Sequence, residues 1–246
     1  MFYLSLLLAT GFAFQSAPTQ TAAATEPPAR PAISQQERGD IYMARKMYRD
    51  AVDAYKQVPT SAVMLNKIGI AYHQMTDLDS ARKYYERAIK MDPQYAEAIN
   101  NLGTIFYARK SYRRAISEYK KALRITPESA SAWANLGSAY FARKNFETAS
   151  DAYQHALSLD PEVFERHSTT GSTVQERSIG DRAKFHYYLA KTYAKAGRNA
   201  DAIAYIRKAL EEGFKEREKF TQEPEFAGLR DDPDFKQLMT TEPKVL

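Results

Sequence analysis

The 246-residue sequence predicts an all-α solenoid in which short helix-turn-helix repeats stack one on another. Small residues, tyrosines and prolines each recur at an interval of 34 residues, and a fixed interval of this length is typical of solenoid proteins. The recurring sets are Gly69, Gly103 and Gly137; Ala81, Ala115 and Ala149; Tyr85, Tyr119 and Tyr153; Ala88, Ala122 and Ala156; and Pro93, Pro127 and Pro161.

Each unit is expected to hold two helices, numbered here by position from Ala62, Ala96 or Ala130. At about 100° per residue, positions 4, 7, 8 and 11 share one face of the first helix and form its core stripe. Glycine at position 8 and alanine at position 20 remove side-chain bulk, so the two antiparallel helices can approach closely. Proline at position 32 lacks an N–H group and stops the second helix.

The three units resemble the tetratricopeptide repeat (TPR) at each of these positions. The matching strings are MLNKIGIAY, INNLGTIFY and WANLGSAYF, with Tyr72, Phe106 and Tyr140 as the aromatic at position 11. The resemblance implies a right-handed TPR solenoid with repeats at residues 62–95, 96–129 and 130–163.

Two weaker copies flank these repeats, which brings the expected total to about five. Residues 32–61 keep Gly39 and Tyr55 but have a second helix about one turn too short. Residues 183–214 restore the pattern with Ala190 at position 8 but place Ile206 at position 24. The remaining residues, 215–246, are expected to form a helical cap in which Asp232 and Pro233 begin a helix and Phe226, Leu229, Phe235, Leu238 and Met239 cover the end of the array.

Three other segments fall outside the repeats. Residues 1–24 contain an apolar run, 2–14, followed by Ala22-Ala23-Ala24, which is typical of a signal peptide. No positive charge precedes the run, so an uncleaved membrane anchor competes with this interpretation, as does, more weakly, a buried helix. Residues 25–31 form a proline-rich linker, and 164–182 an inserted loop that either projects toward a partner or only connects repeats. We therefore expect a protein that is exported (periplasmic or secreted) or tethered to a membrane by its N-terminus.

The composition gives no support to catalysis. The chain has no cysteine, which excludes disulfides, thiolate metal sites and cysteine nucleophiles. Its four histidines lack ligand spacing, and no nucleophile elbow, phosphate loop or dinucleotide fingerprint is present. We expect no enzyme activity, no cofactor and no metal. The net charge of +5 is spread over two separated blocks, which disfavours a nucleic-acid binder.

The TPR resemblance implies that the first helices line a concave groove that receives a peptide or a segment of another protein. Amide side chains there can pair with an extended backbone, and aromatic rings can accept apolar side chains. The predicted groove residues are Asn66, Lys67, Ile70, His73, Asn100, Asn101, Thr104, Tyr107, Asn135, Ser138, Phe141, Lys184, Tyr187, Tyr188 and Lys191. The family's clamp for a chaperone C-terminus is matched only by Asn135 and Lys184, two of its five positions. The function predicted is a non-catalytic protein-interaction scaffold whose partner and oligomeric state the sequence leaves open.

An alternative function rests on a second recurrence, Ala-Arg-Lys at 44–46, 108–110 and 142–144. Stacked, these tripeptides predict a basic ridge that would bind an anionic polymer, either nucleic acid or acidic polysaccharide. The simpler interpretation is that the cations complement the C-termini of the first helices.

The N-terminal interpretation has a direct test. Because the apolar run 2–14 is shorter than the roughly 20 residues that span a bilayer, we expect cleavage between Ala17 and Thr25 during export. Sequencing the N-terminus of the protein isolated from its own cells measures this. An intact Met1 on a soluble cytoplasmic species would contradict export.

Overall fold

In a computed structural model, the described residues are 33–164 and 179–241. The predicted signal segment 1–24, the linker 25–31 and most of the inserted loop lie outside these ranges. The repeats belong to one unit, Ser34–Leu246. No helix within the described ranges combines the length and the apolar character that a membrane span requires.

The described part of the chain is all-α, as the sequence predicts, and its helices pack in consecutive pairs. The pairs are α1 (Gln35–Ala44) with α2 (Tyr48–Lys56), α3 (Ala62–Gln74) with α4 (Leu78–Met91), α5 (Ala96–Ala108) with α6 (Tyr112–Ile125), α7 (Ala130–Ala142) with α8 (Phe146–Leu159), and α9 (Ile179–Lys195) with α10 (Asn199–Glu211). The cap contains α11 (Lys219–Gln222), a 3₁₀ helix (Pro224–Leu229) and α12 (Pro233–Thr240).

A contact between a glycine and a tyrosine ring sets the spacing of the helices within a pair. A Cβ atom added to Gly103 in α5 would lie 2.5 Å from Cε1 of Tyr119 in α6. The distances for the equivalent contacts of Gly39 with Tyr55, Gly69 with Tyr85 and Gly137 with Tyr153 are 2.4, 2.5 and 2.5 Å. All four rings are buried. The ring of each second helix therefore occupies the volume that a larger residue on the first helix would need.

In the fifth pair, different residues occupy the positions of the glycine and the tyrosine. Ala190 stands where the other pairs have glycine, and Ile206 stands where they have tyrosine. Both are completely buried in one hydrophobic cluster. A methyl group on the first helix is thus matched by an aliphatic side chain in place of a ring on the second.

The turn between the helices of a pair has one repeated backbone geometry. The residue after the C-cap adopts a left-handed conformation, with φ of 60° at Lys46, 58° at Lys110, 63° at Lys144 and 71° at Gly197. After α5, the N–H of Ser111 donates to the carbonyl of Phe106 at 2.8 Å, which is the long bond of a Schellman motif. The Ala-Arg-Lys recurrence therefore coincides with the ends of first helices.

The start of α9 differs from the sequence prediction. The helix begins at Ile179, whereas 164–182 was expected to be a loop. Contacts within the fifth pair support these early turns, because Nε of Arg182 lies 3.6 Å from Oε1 of Glu212, the C-cap residue of α10, and Ala183 is buried. The repeat pattern alone does not predict such contacts, so it does not locate the first residue of α9.

The C-terminal cap continues the core of the last pair. Phe220, Phe226, Leu229 and Phe235 are buried in the same cluster as Ala190 and Ile206. The predicted start of α12 is confirmed, because the Asp232 carboxylate accepts from the N–H groups of Asp234 (2.8 Å) and Phe235 (3.2 Å), with Pro233 at the first helical position.

Gly103→Val is expected to lower the free energy of unfolding by about 1–3 kcal/mol, because the new side chain overlaps the Tyr119 ring. Chemical denaturation measures the change. Gly228→Ala is the matched control, since a Cβ atom there meets nothing within 4 Å. An unchanged stability for Gly103→Val would contradict the packing described.

Candidate functional site

The first helices form a continuous inner layer, defined here as α3, α5, α7 and α9. Besides packing on its own second helix, α5 contacts both α3 and α7. Between α7 and α9 the rings of Phe141 and Phe185 meet at 5.6 Å. The first helices therefore contact one another directly along this layer.

Hydrogen bonds between asparagines connect neighbouring first helices. Nδ2 of Asn101 donates to Oδ1 of Asn66 at 3.0 Å, and Nδ2 of Asn135 donates to Oδ1 of Asn100 at 3.1 Å. These four side chains are 1–7% exposed. Nδ2 of Asn66 also donates to Oε1 of Glu97 at 3.0 Å. Buried amides need such partners, and here they find them in the next repeat.

The amide pattern predicts that these asparagines bind a partner's backbone, but in the structure they bind each other between repeats, a role that the prediction did not include. The signal was available in the spacing. Asn66 and Asn101 are 35 residues apart, as are Asn100 and Asn135, so position 5 of one repeat meets position 6 of the next. Because these positions are buried and the amides bind each other, the recurrence of asparagine there requires no ligand.

Two predicted groove aromatics lie in the core. Phe141 is 4% exposed, and its ring packs edge-on against Phe146 at 5.1 Å and Tyr188 at 5.9 Å. Its prediction as an accessible groove residue is wrong, because the rings of Phe146, Phe185 and Tyr188 cover it. Tyr187 is likewise buried and donates from its hydroxyl to Glu223 of the cap at 2.6 Å. Burial and the Glu223 carboxylate raise the pKa of Tyr187 above its ordinary range.

The other predicted residues, apart from buried Thr104, retain partial exposure along the inner layer. They are Lys67, Ile70, His73, Tyr107, Ser138, Lys184, Tyr188 and Lys191. Nζ of Lys67 lies 2.6 Å from Oδ1 of Asp40, and Nζ of Lys191 lies 3.0 Å from Oε2 of Glu223. The accessible surface of the layer thus combines apolar and aromatic groups with cations, two of which are partly neutralised.

The α9 end of the inner layer carries the densest aromatic surface. The rings of Tyr188 and Phe146 stack at 5.0 Å with an angle of 14° between their planes. Nζ of Lys184 lies 4.0 Å from the centroid of the Phe146 ring, which is cation–π distance. Rigid, partly exposed aromatic groups beside a cation are the side chains that dominate protein interfaces.

Burial changes the titration of one histidine in the inner layer. Burial lowers the pKa of His73, so its imidazole is neutral at pH 7. Among the described residues, no three His, Asp or Glu side chains gather as metal ligands would.

The basic ridge lies at the helix ends and is discontinuous. Arg45, Arg143 and Lys144 are exposed, whereas Nη2 of Arg109 bonds Oδ1 of Asp79 at 2.6 Å. The second repeat has Gln-Met-Thr at 74–76 in place of the basic tripeptide. Each lysine of the recurrence occupies the left-handed position of the turn, which supports the helix-end interpretation.

Asn135→Ala is expected to lower the free energy of unfolding by about 1–3 kcal/mol, because Oδ1 of Asn100 then stays buried without its donor. Adding Asn100→Leu removes the orphaned acceptor and should restore part of the loss. Gln154→Ala, which removes an amide from an exposed position of α8, is the control and is expected to change stability by less than about 0.5 kcal/mol. Full stability in Asn135→Ala alone would show that the bond does not connect the repeats.

Comparison with known proteins agrees with this architecture. Family models described as tetratricopeptide repeat match residues 32–94, 66–130, 130–163 and 173–214. No curated protein sequence matches the chain. Among solved structures, a double mutant of MamA (RS-1) is similar at 21% identity, covering 72% of this chain and 92% of its own, with a TM-score of 0.50.

Two further solved structures are similar over shorter spans. One is YrrB, described as a TPR protein with an unusual peptide-binding site, at 20% identity over 52% of this chain and 68% of YrrB, with a TM-score of 0.46. The other is the first TPR of Spaghetti (RPAP3) bound to an HSP90 peptide, at 26% identity over 43% and 83%, with a TM-score of 0.41. On the family matches and the helix pairs, the chain belongs to the tetratricopeptide repeat family.

Proposed function

We propose that this protein is a non-catalytic scaffold that binds a segment of another protein along its inner layer. Family membership supports a role in protein interaction. The observation that carries the proposal is the continuity of the layer, in which first helices contact each other directly and are joined by asparagine bonds. A segment that crosses several first helices meets a preformed surface, which reduces the ordering that binding requires.

The accessible side chains define the kind of segment that fits. Ile70 near one end, Tyr107 in the middle and Tyr188 near the other are partly exposed apolar or aromatic groups on the second, third and fifth repeats. Such groups bind best to apolar side chains of a partner, and the free energy of binding concentrates in a few of them. We infer an extended or helical segment with spaced apolar residues.

We also propose that the protein acts in the cell envelope. The support is the apolar run 2–14 followed by a proline-rich linker. Export would place the repeats outside the cytoplasm and tethering would hold them at the membrane, and the partner segment would be found in the same place.

Site-specific photocrosslinking tests the binding surface. We expect p-benzoylphenylalanine placed at Ile70 or at Tyr188, both on the inner layer, to crosslink the protein to one and the same partner protein in the native cell envelope. The same group at Lys83 or Lys90, which are exposed on the second helix α4, should not form this crosslink. Equal adducts from both sets would contradict an inner-layer site.

Substitutions then rank the contributions to binding of the partner so identified. Tyr107→Ala with Tyr188→Ala should weaken binding about tenfold or more, equivalent to about 1.4 kcal/mol. Arg143→Glu with Lys144→Glu should have a smaller, salt-sensitive effect. Helical content and melting temperature of both variants control for folding. The opposite ranking would favour an anionic polymer bound at the basic ridge.

A further inference from the structure

An open cleft of about 510 Å³ lies outside the inner layer, between the second helices α6 and α8 and above α7. We call it the outer cleft. Its floor comes from Trp133, Leu136 and Tyr140, which are core-stripe positions of α7. Leu136 is buried and the two aromatic residues are half-buried. The volume lies within the range of about 300–1,000 Å³ that is usual for ligand sites.

The orientation of the Trp133 indole is fixed. Its Nε1 donates to the carbonyl of Pro127 at 2.8 Å, and its ring stacks on His155 at 4.6 Å with an angle of 20° between the planes. The indole N–H therefore has its hydrogen-bond acceptor, and one face of the Trp133 ring packs against His155. The aromatic floor is preformed, so a ligand need not order it.

The corresponding position one repeat earlier is covered by long side chains. The guanidinium of Arg114 lies over the Phe106 ring at 5.9 Å. Beside it, Nζ of Lys121 bonds Oε1 of Glu118 at 2.7 Å on the same helix, α6. The Arg114 side chain thus covers the aromatic residue at position 11, and the Lys121–Glu118 pair follows it on α6.

In the outer cleft, the residues 34 positions later are shorter or make different contacts. Thr148 replaces the arginine, Ala152 the glutamate and His155 the lysine, while Tyr140 keeps the aromatic floor. Thr148 turns its hydroxyl to Oδ1 of Asn145 at 3.0 Å, and His155 stacks on the tryptophan. The cleft is open because this repeat lacks the covering side chains of the one before it.

The wall formed by α6 carries two cations without a carboxylate partner among the described residues. Lys120 and Arg124 are one helical turn apart and exposed. Nζ of Lys120 lies 5.6 Å from the centroid of the Tyr140 ring. Asp151, on the α8 wall, is the one acidic side chain that lines the cleft. A ligand that complements this charge pattern places carboxylates against α6 and an apolar group on the floor.

We propose that the outer cleft is a second docking site, for a short peptide segment of a partner protein in which carboxylates flank a leucine or aromatic side chain. The apolar side chain lies on Trp133 and Tyr140, and the carboxylates pair with Lys120 and Arg124. A nucleic-acid strand fits less well, because Asp151 repels phosphates. The site shares no lining residue with the predicted groove, so it stands independently of the proposed function.

The test uses Trp133, the only tryptophan of the chain, as its reporter. The probe is the peptide acetyl-Glu-Leu-Glu-Phe-Glu-Leu-amide, added to the full-length protein while tryptophan emission is recorded. We expect a saturable change that the same peptide with Lys in place of Glu does not produce. Lys120→Glu with Arg124→Glu should weaken binding about tenfold or more. Lys83→Glu with Lys90→Glu, the same charge change on exposed positions of α4, should leave it unchanged within about twofold.

A second variant tests the shape of the cleft rather than its charge wall. Ala152→Gln gives this position a side chain as long as that of Glu118 in the preceding repeat but without its charge, and should also weaken the peptide about tenfold, with the melting temperature measured as the control for folding. The proposal is overturned if emission shows no saturable change, or if the Lys120→Glu and Arg124→Glu protein binds as tightly as the parent. It is also overturned if a thymidine hexanucleotide binds at Trp133 more tightly than the peptide.

Discussion

The close approach of a glycine on each first helix to a tyrosine ring on its second helix is the contact on which the array depends. The ring lies where a Cβ atom would otherwise be, in four of the five pairs, so the contact between glycine and ring has nearly the same geometry each time. The fifth pair exchanges both partners together, to Ala190 and Ile206. Protein interiors contain little empty volume, so a larger residue on one helix requires a smaller side chain on the helix that it contacts.

Uniform pairs produce a regular stack, and the regular stack brings first helices into register. In that register, asparagines 35 residues apart meet at hydrogen-bonding distance and join one repeat to the next. The inner layer is thus a consequence of the helix spacing, with its rings and cations carried on a rigid support. The outer cleft has a different origin, because it arises where one repeat departs from the side chains of its predecessor at Thr148 and Ala152.

Much of the fold could be predicted because it is local and repeated. The period of 34 located the helix pairs, and Asp232 with Pro233 located the start of α12. The orientation of Phe141 and Tyr187 could not be predicted, because a rotation count treats each helix as isolated. Phe141 is buried by rings from α9 and Tyr187 by the cap, and these contacts come from elements distant in sequence. The outer cleft was missed for a related reason, since it depends on which side chains are short in one repeat relative to another.

A double-mutant cycle between Gly103→Ala and Tyr119→Ile tests the central contact most directly, since it converts the third pair to the residues found in the fifth. The measurement is the free energy of unfolding of the four proteins. We expect Gly103→Ala to destabilise the protein when Tyr119 is present and to be neutral or stabilising with Tyr119→Ile, with a coupling free energy of about 0.5–3 kcal/mol. Additive effects of the two substitutions would contradict it, because the glycine would then have no dependence on the ring.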